Sequence, residues 1–246
     1  MPSVLPEKPP EELTSKNLPR HVAIIMDGNR RWAKRHGVPD AIGHWKGAEA
    51  LSNIVEIAAS LGVKVLTVYS FSTENWKRDS QEVEALMNLF KMYLSNEKSR
   101  MVDKGVKLST IGDVNKLPLD LQVVLQDTKE ATKAGDAINL VLALNYGGRD
   151  DLRRAFILLL KEYKEGRVSL EEISEKKISQ CLDTAPWQDP QLLIRTSGES
   201  RISNFLNWQI SYSEVYITEV LWPDFGEKEF LEALLEFDRR ERRLGV

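Results

Sequence analysis

Residues 21–35 read HVAIIMDGNRRWAKR, an apolar run that ends in an acid, a glycine and a series of cations. The run Val22–Met26 has the length of a short buried strand, and it places the carboxylate of Asp27 in the turn that follows. The basic segment after the turn can form the first turns of a helix, whose free backbone N–H groups favour anions. This stretch predicts a site for a metal-bound polyphosphate.

Length and composition indicate one α/β domain. The chain has 246 residues, 42% apolar and 29% charged, which is enough to bury a full core. We expect a flexible N-terminal arm over residues 1–19, which are rich in Pro, Glu and Lys, and a single domain over residues 20–246. The net charge of −3 argues against a nucleic-acid partner. Because the chain has one cysteine and no apolar run of about 18 residues, we expect a soluble, cytoplasmic protein.

Segments of strand length alternate with segments of helical period, which predicts a mostly parallel, six-stranded sheet flanked by helices. The predicted strands are Val22–Met26, Val63–Phe71, Val106–Ile111, Ile138–Leu144, Leu192–Ile194 and Val215–Thr218. The predicted helices include Leu119–Ala134, Asp150–Glu165, a helix from Ser169 to about Leu182, Ser203–Ser211 and Glu227–Arg243. Asp79 with Glu82, and Ser169 with Glu172, have the spacing of capping boxes.

Four polar groups follow predicted strands: Asp27–Trp32, Ser72–Arg78, Asn145–Arg149 and Arg195–Ser203. In a parallel sheet they would meet at the edge where ligands bind. Arginine suits phosphate there because its planar fork bonds two oxygens at once. The alternative, that the arginines only pair with glutamates on a solvated surface, does not explain why they gather at strand ends.

Specific residues argue against three other classes of protein that act on phosphates or diphosphates. A phosphatase of the haloacid dehalogenase type needs a second Asp two residues after Asp27, where this chain has Asn29. No strand is followed by the Gly-Lys-Ser or Gly-Lys-Thr of a P-loop. The run Asp150-Asp151-Leu152-Arg153-Arg154 lacks the later acid of a trans-prenyl diphosphate synthase.

Five motifs in order resemble the cis-prenyltransferases, the family of undecaprenyl diphosphate synthase, over about Leu18 to Gly245. They are His21–Arg35, Ser70–Arg78, Leu144–Arg149, Ile194–Phe205 and Ser213–Phe225. The resemblance implies a Mg²⁺-dependent homodimer that condenses isopentenyl diphosphate with an allylic diphosphate such as farnesyl diphosphate. The implied product is a long cis-polyprenyl diphosphate, by analogy undecaprenyl diphosphate for cell-wall lipid carriers. The alternative is a non-catalytic subunit that stabilises a catalytic partner, but such subunits tend to lose the strand-end acid and cationic loop that this chain keeps.

The resemblance also implies residue roles. Asp27 and Glu214 match metal-linked carboxylates, and Asn75 matches the usual candidate for proton removal, although a neutral amide is a weak base and a diphosphate oxygen is the better acceptor. The other residues match substrate-binding positions: Gly28, Asn29, Arg30, Arg31, Trp32, His44, Ser72, Thr73, Glu74, Trp76, Arg78, Arg195, Arg201, Ile202 and Ser203.

Two helical segments are more apolar than one buried face requires. Val83–Leu94 and Phe156–Leu160 are candidates for the walls of a product tunnel or for a dimer contact, with plain core as the alternative. The arginines in the run Arg239–Arg243 have three alternative interpretations. They can lie at a solvated helix end, contact phosphate head groups at the inner face of the membrane, or contact the site of a dimer partner.

One position departs from the family pattern. The family commonly has Arg four residues before the site histidine, and this chain has Asp40. Either Arg30, where many bacterial relatives have Gly, compensates, or the allylic substrate is held differently.

Overall fold

The computed structural model describes residues 18–240. Within them the strands are β1 (His21–Ile25), β2 (Val65–Ser72), β3 (Val106–Ile111), β4 (Ile138–Tyr146), β5 (Leu192–Arg195) and β6 (Glu214–Ile217). The α-helices are α1 (Asn29–His36), α2 (Asp40–Ser60), α3 (Ser80–Asp103), α4 (Leu119–Thr132), α5 (Gly148–Lys164), α6 (Glu175–Cys181) and α7 (Glu227–Arg239). The predicted arm before residue 18 and the arginines after residue 240 lie outside this range. None of the helices in this range is long and apolar enough to cross a bilayer.

The six strands form one parallel sheet in the order β3-β4-β2-β1-β5-β6. Strand β1 is central and buried along its whole length, because alternate residues pack into the apolar clusters on the two faces. Val22 and Ile24 face one cluster, and Ala23 and Ile25 face the other. The predicted fold class is confirmed, and the ends of β1, β2, β4 and β5 meet at one edge of the sheet.

The predicted helix over Ser203–Ser211 is wrong. Ser203, Asn204 and Leu206 have φ angles of 49°, 65° and 49°, which are incompatible with a right-handed helix. The polar groups of Asn204 bond to other loops instead: its carbonyl oxygen accepts from Gly148 N–H at 2.7 Å, and its side-chain Oδ1 accepts from Arg149 N–H at 3.0 Å. Tertiary hydrogen bonds therefore replace the helical ones in this segment.

The predicted helix from Ser169 to Leu182 is two separate elements. Its capping box is present, since Ser169 N–H donates to Glu172 Oε2 at 2.7 Å, but it starts only the 3₁₀ turn Leu170–Glu172. Ser174 then caps α6 independently by accepting from Lys177 N–H. At the start of α3 the cap Asp79 is confirmed, whereas Glu82 bonds to Arg78 and does not complete a box.

The two strongly apolar helical segments have different surroundings. Helix α3 contacts α2, α4 and β3, and Leu86, Met87, Tyr93 and Leu94 in its apolar segment are buried. On α5, Leu159 is buried, but Phe156, Ile157, Leu158 and Leu160 are 41–59% exposed within the described chain. Within one copy of the chain, this segment of α5 is therefore neither part of the buried core nor the wall of an internal cavity. Its apolar side chains form an exposed face that a partner could cover.

The first residue of β1 makes stability depend on pH. His21 is buried, its ring nitrogens lying 2.6 Å from Gln188 O and 2.7 Å from Thr67 Oγ1, and burial lowers its pKa to about 4. Below about pH 6.5 the unfolded chain takes up a proton that the folded chain refuses, so stability present above that pH is lost as the pH falls towards 4. We expect the free energy of unfolding to fall by about 2 kcal/mol from this residue between pH 7 and pH 5. Urea unfolding at both pH values measures this difference. His21→Gln cannot titrate at this position, so its free energy of unfolding should fall by about 2 kcal/mol less between the two pH values. An equal fall in both proteins would contradict the prediction.

Candidate active site

A cavity of about 600 Å³ opens at the carboxyl edge of the sheet, between the ends of β1, β2 and β5. It contains many of the residues that the sequence placed at strand ends. The predicted site residues in its lining are Asp27, Asn29, His44, Ser72, Glu74, Asn75, Arg78, Arg195 and Ser203. Polar groups from three strands and from helix α2 are thus brought together in one place.

The carboxylate of Asp27 lies between two arginines. Arg195 Nη2 donates to Asp27 Oδ2 at 2.9 Å, and Arg31 Nη2 lies 3.3 Å from Asp27 Oδ1. Burial by itself would raise the pKa of Asp27, but the Arg195 hydrogen bond and the charges of both arginines outweigh it and hold that pKa below its ordinary value. Asp27 is therefore an anion at neutral pH, and its side chain is still 30% exposed towards the cavity.

The backbone at Asp27 is fixed from several directions. Its N–H donates to Thr196 Oγ1 at 2.9 Å, and Thr196 Oγ1–H donates back to Asp27 O at 2.6 Å. The next residue, Gly28, has φ 115°, and a Cβ there would lie 3.0 Å from Leu221 Cδ2. Only glycine fits this turn without strain, and it lets α1 begin immediately after the acid.

Helix α1 packs unusually close to α2. A Cβ at Gly43 would lie 2.2 Å from Asn29 O, so a side chain at this position of α2 would push α1 away. The first turn of α1 contains no acidic side chain and has no side-chain cap. Its N–H groups therefore keep their capacity for an anion beside Asp27.

Arg195 is the most buried cation of the site, with its side chain 5% exposed. Besides the bond to Asp27, its Nη1 donates to Ser203 Oγ at 3.0 Å and to the main-chain oxygen of Arg201. The buried atoms Arg195 Nε, Asn29 Oδ1 and His44 Nε2 have no hydrogen-bond partner in the described chain. Since buried polar groups are normally satisfied, these atoms indicate that the cavity takes a polar ligand.

The segment after β2 forms the 3₁₀ turn Thr73–Lys77 beside the cavity. Asn75 Oδ1 accepts from Ser72 N–H at 3.0 Å, so this amide caps the turn. The turn is fastened to neighbouring loops by Trp76 Nε1–H, which donates to Asn145 Oδ1 at 2.7 Å, and by Asn204 Nδ2–H, which donates to Glu74 Oε1 at 2.9 Å. The resemblance implies that this segment binds substrate, and the structure holds it at the rim of the cavity.

A group of charged side chains surrounds His44. Arg30 Nε donates to Asp40 Oδ2 at 2.8 Å, and Arg78 Nη1 donates to Glu82 Oε1 at 2.8 Å. Glu82 also lies 3.8 Å from Arg30 Nη1. Burial, and then the charge of Arg78, lower the pKa of His44, so its imidazole is neutral at neutral pH.

Several predicted site residues lie outside the cavity lining. Trp32 stacks on His36 and donates from Nε1 to Asp224 Oδ1 at 2.7 Å. The side chain of Arg201 is 64% exposed and pairs with Glu199, while Ile202 packs against the apolar cluster below the edge. Gly28, Arg30, Arg31, Thr73 and Trp76 lie next to lining residues and contact the site through them.

Glu214 is not brought to Asp27 in a single chain. It begins β6, opposite Leu192 at the start of β5, whereas Asp27 follows the far end of β1. Arg240 Nη1 donates to Glu214 Oε2 at 2.9 Å. Parallel pairing puts the first residue of a strand at the edge of the sheet opposite to the strand ends, so the two acids lie at different edges within one chain. The metal-linked role that the resemblance implies for Glu214 stays a prediction.

Sequence reasoning gave no role to Thr196, Tyr69 or Asn204. Tyr69 lines the cavity and donates from its hydroxyl to Tyr146 O at 3.2 Å, and Asn204 joins the Glu74 segment to the β4–α5 loop. An Asn after a polar strand-end group was the available signal for Asn204, because Asn tolerates positive φ better than most residues.

The residues can accommodate Mg²⁺. No group of three or more His, Cys, Asp or Glu side chains with metal-binding spacing exists within residues 18–240. An ionised, partly exposed carboxylate fits Mg²⁺ nonetheless, since this ion is commonly bound by one or two carboxylates together with substrate phosphates and water.

The comparisons with known proteins agree with this geometry. A family model described as putative undecaprenyl diphosphate synthase matches residues 25–245. The chain belongs to this family. It is 45% identical over 249 residues to an isoprenyl transferase of Chlamydia caviae, covering 100% of both chains, and 44% identical over 238 residues to dehydrodolichyl diphosphate synthase CPT5 of Solanum lycopersicum, covering 96% of this chain and 76% of that protein. The isoprenyl transferase family thus accounts for nearly the whole length of the domain.

A solved structure shares the fold closely. The crystal structure of lavandulyl diphosphate synthase from Lavandula x intermedia, in complex with dimethylallyl diphosphate, has a TM-score of 0.92 and 36% identity, and the match covers 94% of this chain and 100% of that one. The chain is a prenyltransferase by family and by fold. Dehydrodolichyl diphosphate synthase and lavandulyl diphosphate synthase are named for different products, so their names do not give the product length of this chain.

Proposed function

We propose that this isoprenyl transferase joins isopentenyl diphosphate to an allylic diphosphate, such as farnesyl diphosphate, and forms a long cis-polyprenyl diphosphate. The observation that carries the proposal is the Asp27 carboxylate between Arg31 and Arg195, beside buried polar atoms without partners. Arg31 and the start of α1 suit one diphosphate, and Arg195 with Ser203 suits a second. The relative solved with dimethylallyl diphosphate supports an allylic substrate.

The chain's own groups favour ionisation of the allylic diphosphate. Charge develops on the leaving diphosphate as its C–O bond breaks, and arginines held in a partly buried site stabilise that charge without rearranging. Mg²⁺ held by Asp27 would supply further positive charge to the diphosphate. Apolar residues next to the site, including Met26 and Leu86, keep water from the allylic cation.

The proton that leaves the isopentenyl unit needs an acceptor. Asn75 already accepts from Ser72 N–H with its Oδ1, which supports a role in orienting the segment and leaves a diphosphate oxygen as the better base. We expect Asn75→Ala and Asn75→Asp both to lower kcat by about tenfold or more. Steady-state rates and substrate binding measure this. Full turnover in Asn75→Asp, with turnover lost and binding unchanged in Asn75→Ala, would make residue 75 the base.

The test of the function itself is direct. The full chain is incubated with farnesyl diphosphate, labelled isopentenyl diphosphate and Mg²⁺, and the products are sized by chromatography, with and without a chelator. Label in a series of longer prenyl diphosphates, abolished by the chelator, is expected. No elongation by the chain alone would instead favour a subunit that needs a catalytic partner.

We also propose an oligomeric state and a role for the product. The open apolar face of α5, with Phe156, Ile157 and Leu160, fits a second copy of the chain and so a homodimer. Sedimentation of the full chain as a monomer at micromolar concentration would contradict this. The description of the matching family model, putative undecaprenyl diphosphate synthase, supports an undecaprenyl-sized product. We propose by analogy that this product serves cell-wall lipid carriers and is delivered by peripheral contact with the membrane.

Asp40 is the chain-specific feature of the rim. Its carboxylate engages Arg30, so Asp40→Arg both frees Arg30 and adds a cation near the proposed allylic diphosphate. We expect the apparent KM for the allylic substrate to fall several-fold. Asp40→Asn, which frees Arg30 without adding charge, should lower it less. Initial rates against allylic substrate concentration measure both variants; an unchanged or higher KM in Asp40→Arg would remove the idea.

A further inference from the structure

Strand β4 contains an extra residue where it reaches the active-site edge of the sheet. Phe71 pairs with Leu144 and Ser72 pairs with Tyr146, so Asn145 lies between two pairs without a partner of its own on the described strand β2. Leu144 and Tyr146, which are two positions apart, consequently pack on different faces of the sheet. Bulges of this kind change the direction of side chains and are frequent next to active sites.

The backbone of Asn145 has a conformation that glycine adopts more easily. Its φ angle is 48°, in the left-handed region, and the residue is only 3% exposed. A residue with a Cβ atom is strained in this region, whereas glycine is not. A buried, left-handed asparagine therefore points to a function of its side chain that glycine would not provide.

The amide of Asn145 joins two loops. Its Oδ1 accepts from Trp76 Nε1–H at 2.7 Å, and its Nδ2–H donates to Asp113 O at 2.8 Å. Asp113 N–H donates back to Asn145 O at 3.2 Å. Asp113 follows β3, and Trp76 belongs to the 3₁₀ turn Thr73–Lys77, which we call the rim turn. Asn145 thus connects the rim turn to the ends of β3 and β4.

The position of Trp76 affects residues that line the active-site cavity. Asn75 directly precedes Trp76, Arg78 follows two residues later, and both line the cavity. The Trp76 side chain is 39% exposed and packs edge-on against Phe71, with the ring centroids 5.1 Å apart. Its hydrogen bond to the buried Asn145 is directional, so it fixes the indole more closely than the ring contact does.

We propose that Asn145 is a positioning residue for prenyl transfer, which acts through Trp76 to keep the rim turn and its Asn75 in place at the cavity. The inference rests on the proposed function and adds a residue that is not among the described residues lining the cavity. The competing interpretation is that the bond from Asn204 Nδ2–H to Glu74 Oε1 holds the rim turn by itself. Asn145 would then serve only the packing of β3 against β4.

Asn145→Gly separates positioning from folding. Glycine adopts this φ angle without strain, which offsets the loss of the two amide bonds, so we expect a folded protein. With farnesyl diphosphate, labelled isopentenyl diphosphate and Mg²⁺, kcat is expected to fall by about tenfold, with a smaller change in KM for either substrate. An unchanged kcat in the folded variant overturns the inference.

Asn139→Gly is the matched control. Asn139 lies near the start of the same strand, at the opposite edge of the sheet, and its amide is oriented to accept from Trp187 Nε1–H at 3.0 Å. The substitution therefore also removes an amide–indole bond, but one far from the rim turn. We expect kcat to stay the same even if the melting temperature falls.

Trp76→Phe removes the proposed bond from its other partner. It keeps an aromatic ring beside Phe71 but has no N–H, and it covers the case in which Asn145→Gly folds poorly. Trp76→Phe should also lower kcat, and the double variant with Asn145→Gly should be no slower than the slower single variant. An unchanged kcat in Trp76→Phe, or additive losses in the double variant, contradicts the proposed coupling.

Limited proteolysis gives a readout that does not need turnover. Trypsin cleaves after Lys77 and Arg78, at the end of the rim turn, and it needs this segment to open locally. Asn145→Gly and Trp76→Phe should raise the cleavage rate at these two bonds several-fold, whereas Asn139→Gly should not. Equal cleavage rates in Asn145→Gly and the unmodified protein overturn the inference. Failure of the unmodified protein to elongate counts against the proposed reaction alone, and the cleavage rates still decide the role of Asn145.

Discussion

Replacing Asp27 with alanine is expected to lower kcat/KM for prenyl transfer by about 10³ or more. A group that stabilises charge developing in a transition state is worth about 10²–10³ in rate, and Asp27 also orients two arginines and would hold the metal. Its loss leaves the largely buried Arg195 without its charge partner. Steady-state kinetics with both substrates, together with thermal unfolding to compare stability, measure the effect.

Asp27→Asn is the matched control for this first prediction. The amide keeps the volume and an oxygen that can accept from Arg195 Nη2, but it carries no charge. We expect Asp27→Asn to fold as well as the unmodified chain and to be nearly as inactive as Asp27→Ala. Recovery of most activity in Asp27→Asn would show that Asp27 acts by hydrogen bonding and packing and not as an anion.

The second large effect is expected at Arg195. Its guanidinium bonds to Asp27, to Ser203 and to the main chain of Arg201, an arrangement that needs a planar fork. Lysine supplies the same charge from a single nitrogen, which cannot occupy the positions of both Nη1 and Nη2. Arg195→Lys should therefore lower kcat/KM by about 10², with a larger rise in KM for isopentenyl diphosphate than for the allylic substrate.

Arg154→Lys provides the comparison for this change. Arg154 lies on α5 outside the cavity and also makes several bonds, to Asp150 and Asp183. The same chemical change there should lower the melting temperature while KM for both substrates stays the same. Equal KM values for Arg195→Lys and the unmodified enzyme would contradict the assignment of a diphosphate to Arg195.

The sequence predicts the position of Asp27 and Arg195 for a simple reason. Each follows a short apolar run, and the ends of parallel strands share one edge, so the two side chains meet without any knowledge of side-chain packing. The Asp27–Arg195 bond joins residues that lie 168 positions apart. Strand order alone is sufficient to bring them together.

The predicted helix over Ser203–Ser211 is wrong because of contacts that the local sequence pattern does not contain. Ser203 and Asn204 are turned into positive φ by bonds to Arg195 and to the β4–α5 loop, which lie far away in the sequence. The local sequence around Glu214 also does not show on which edge of the sheet this acid lies; the strand direction shows that it starts β6, where Arg240 bonds to it. Motif matching gives the residue type, while the edge of the sheet on which it lies depends on the whole topology.

The ion pair between Arg30 and Asp40 couples the substitutions that these two positions can accept. If both residues are replaced one after the other, the first substitution leaves one charged member of the pair without the other. That intermediate has either an unopposed acid or an extra cation at the mouth of the site. The two intermediates differ for an anionic substrate, because the unopposed acid repels it and the extra cation attracts it. The order in which substitutions accumulate is therefore constrained: Asp40 should change before Arg30.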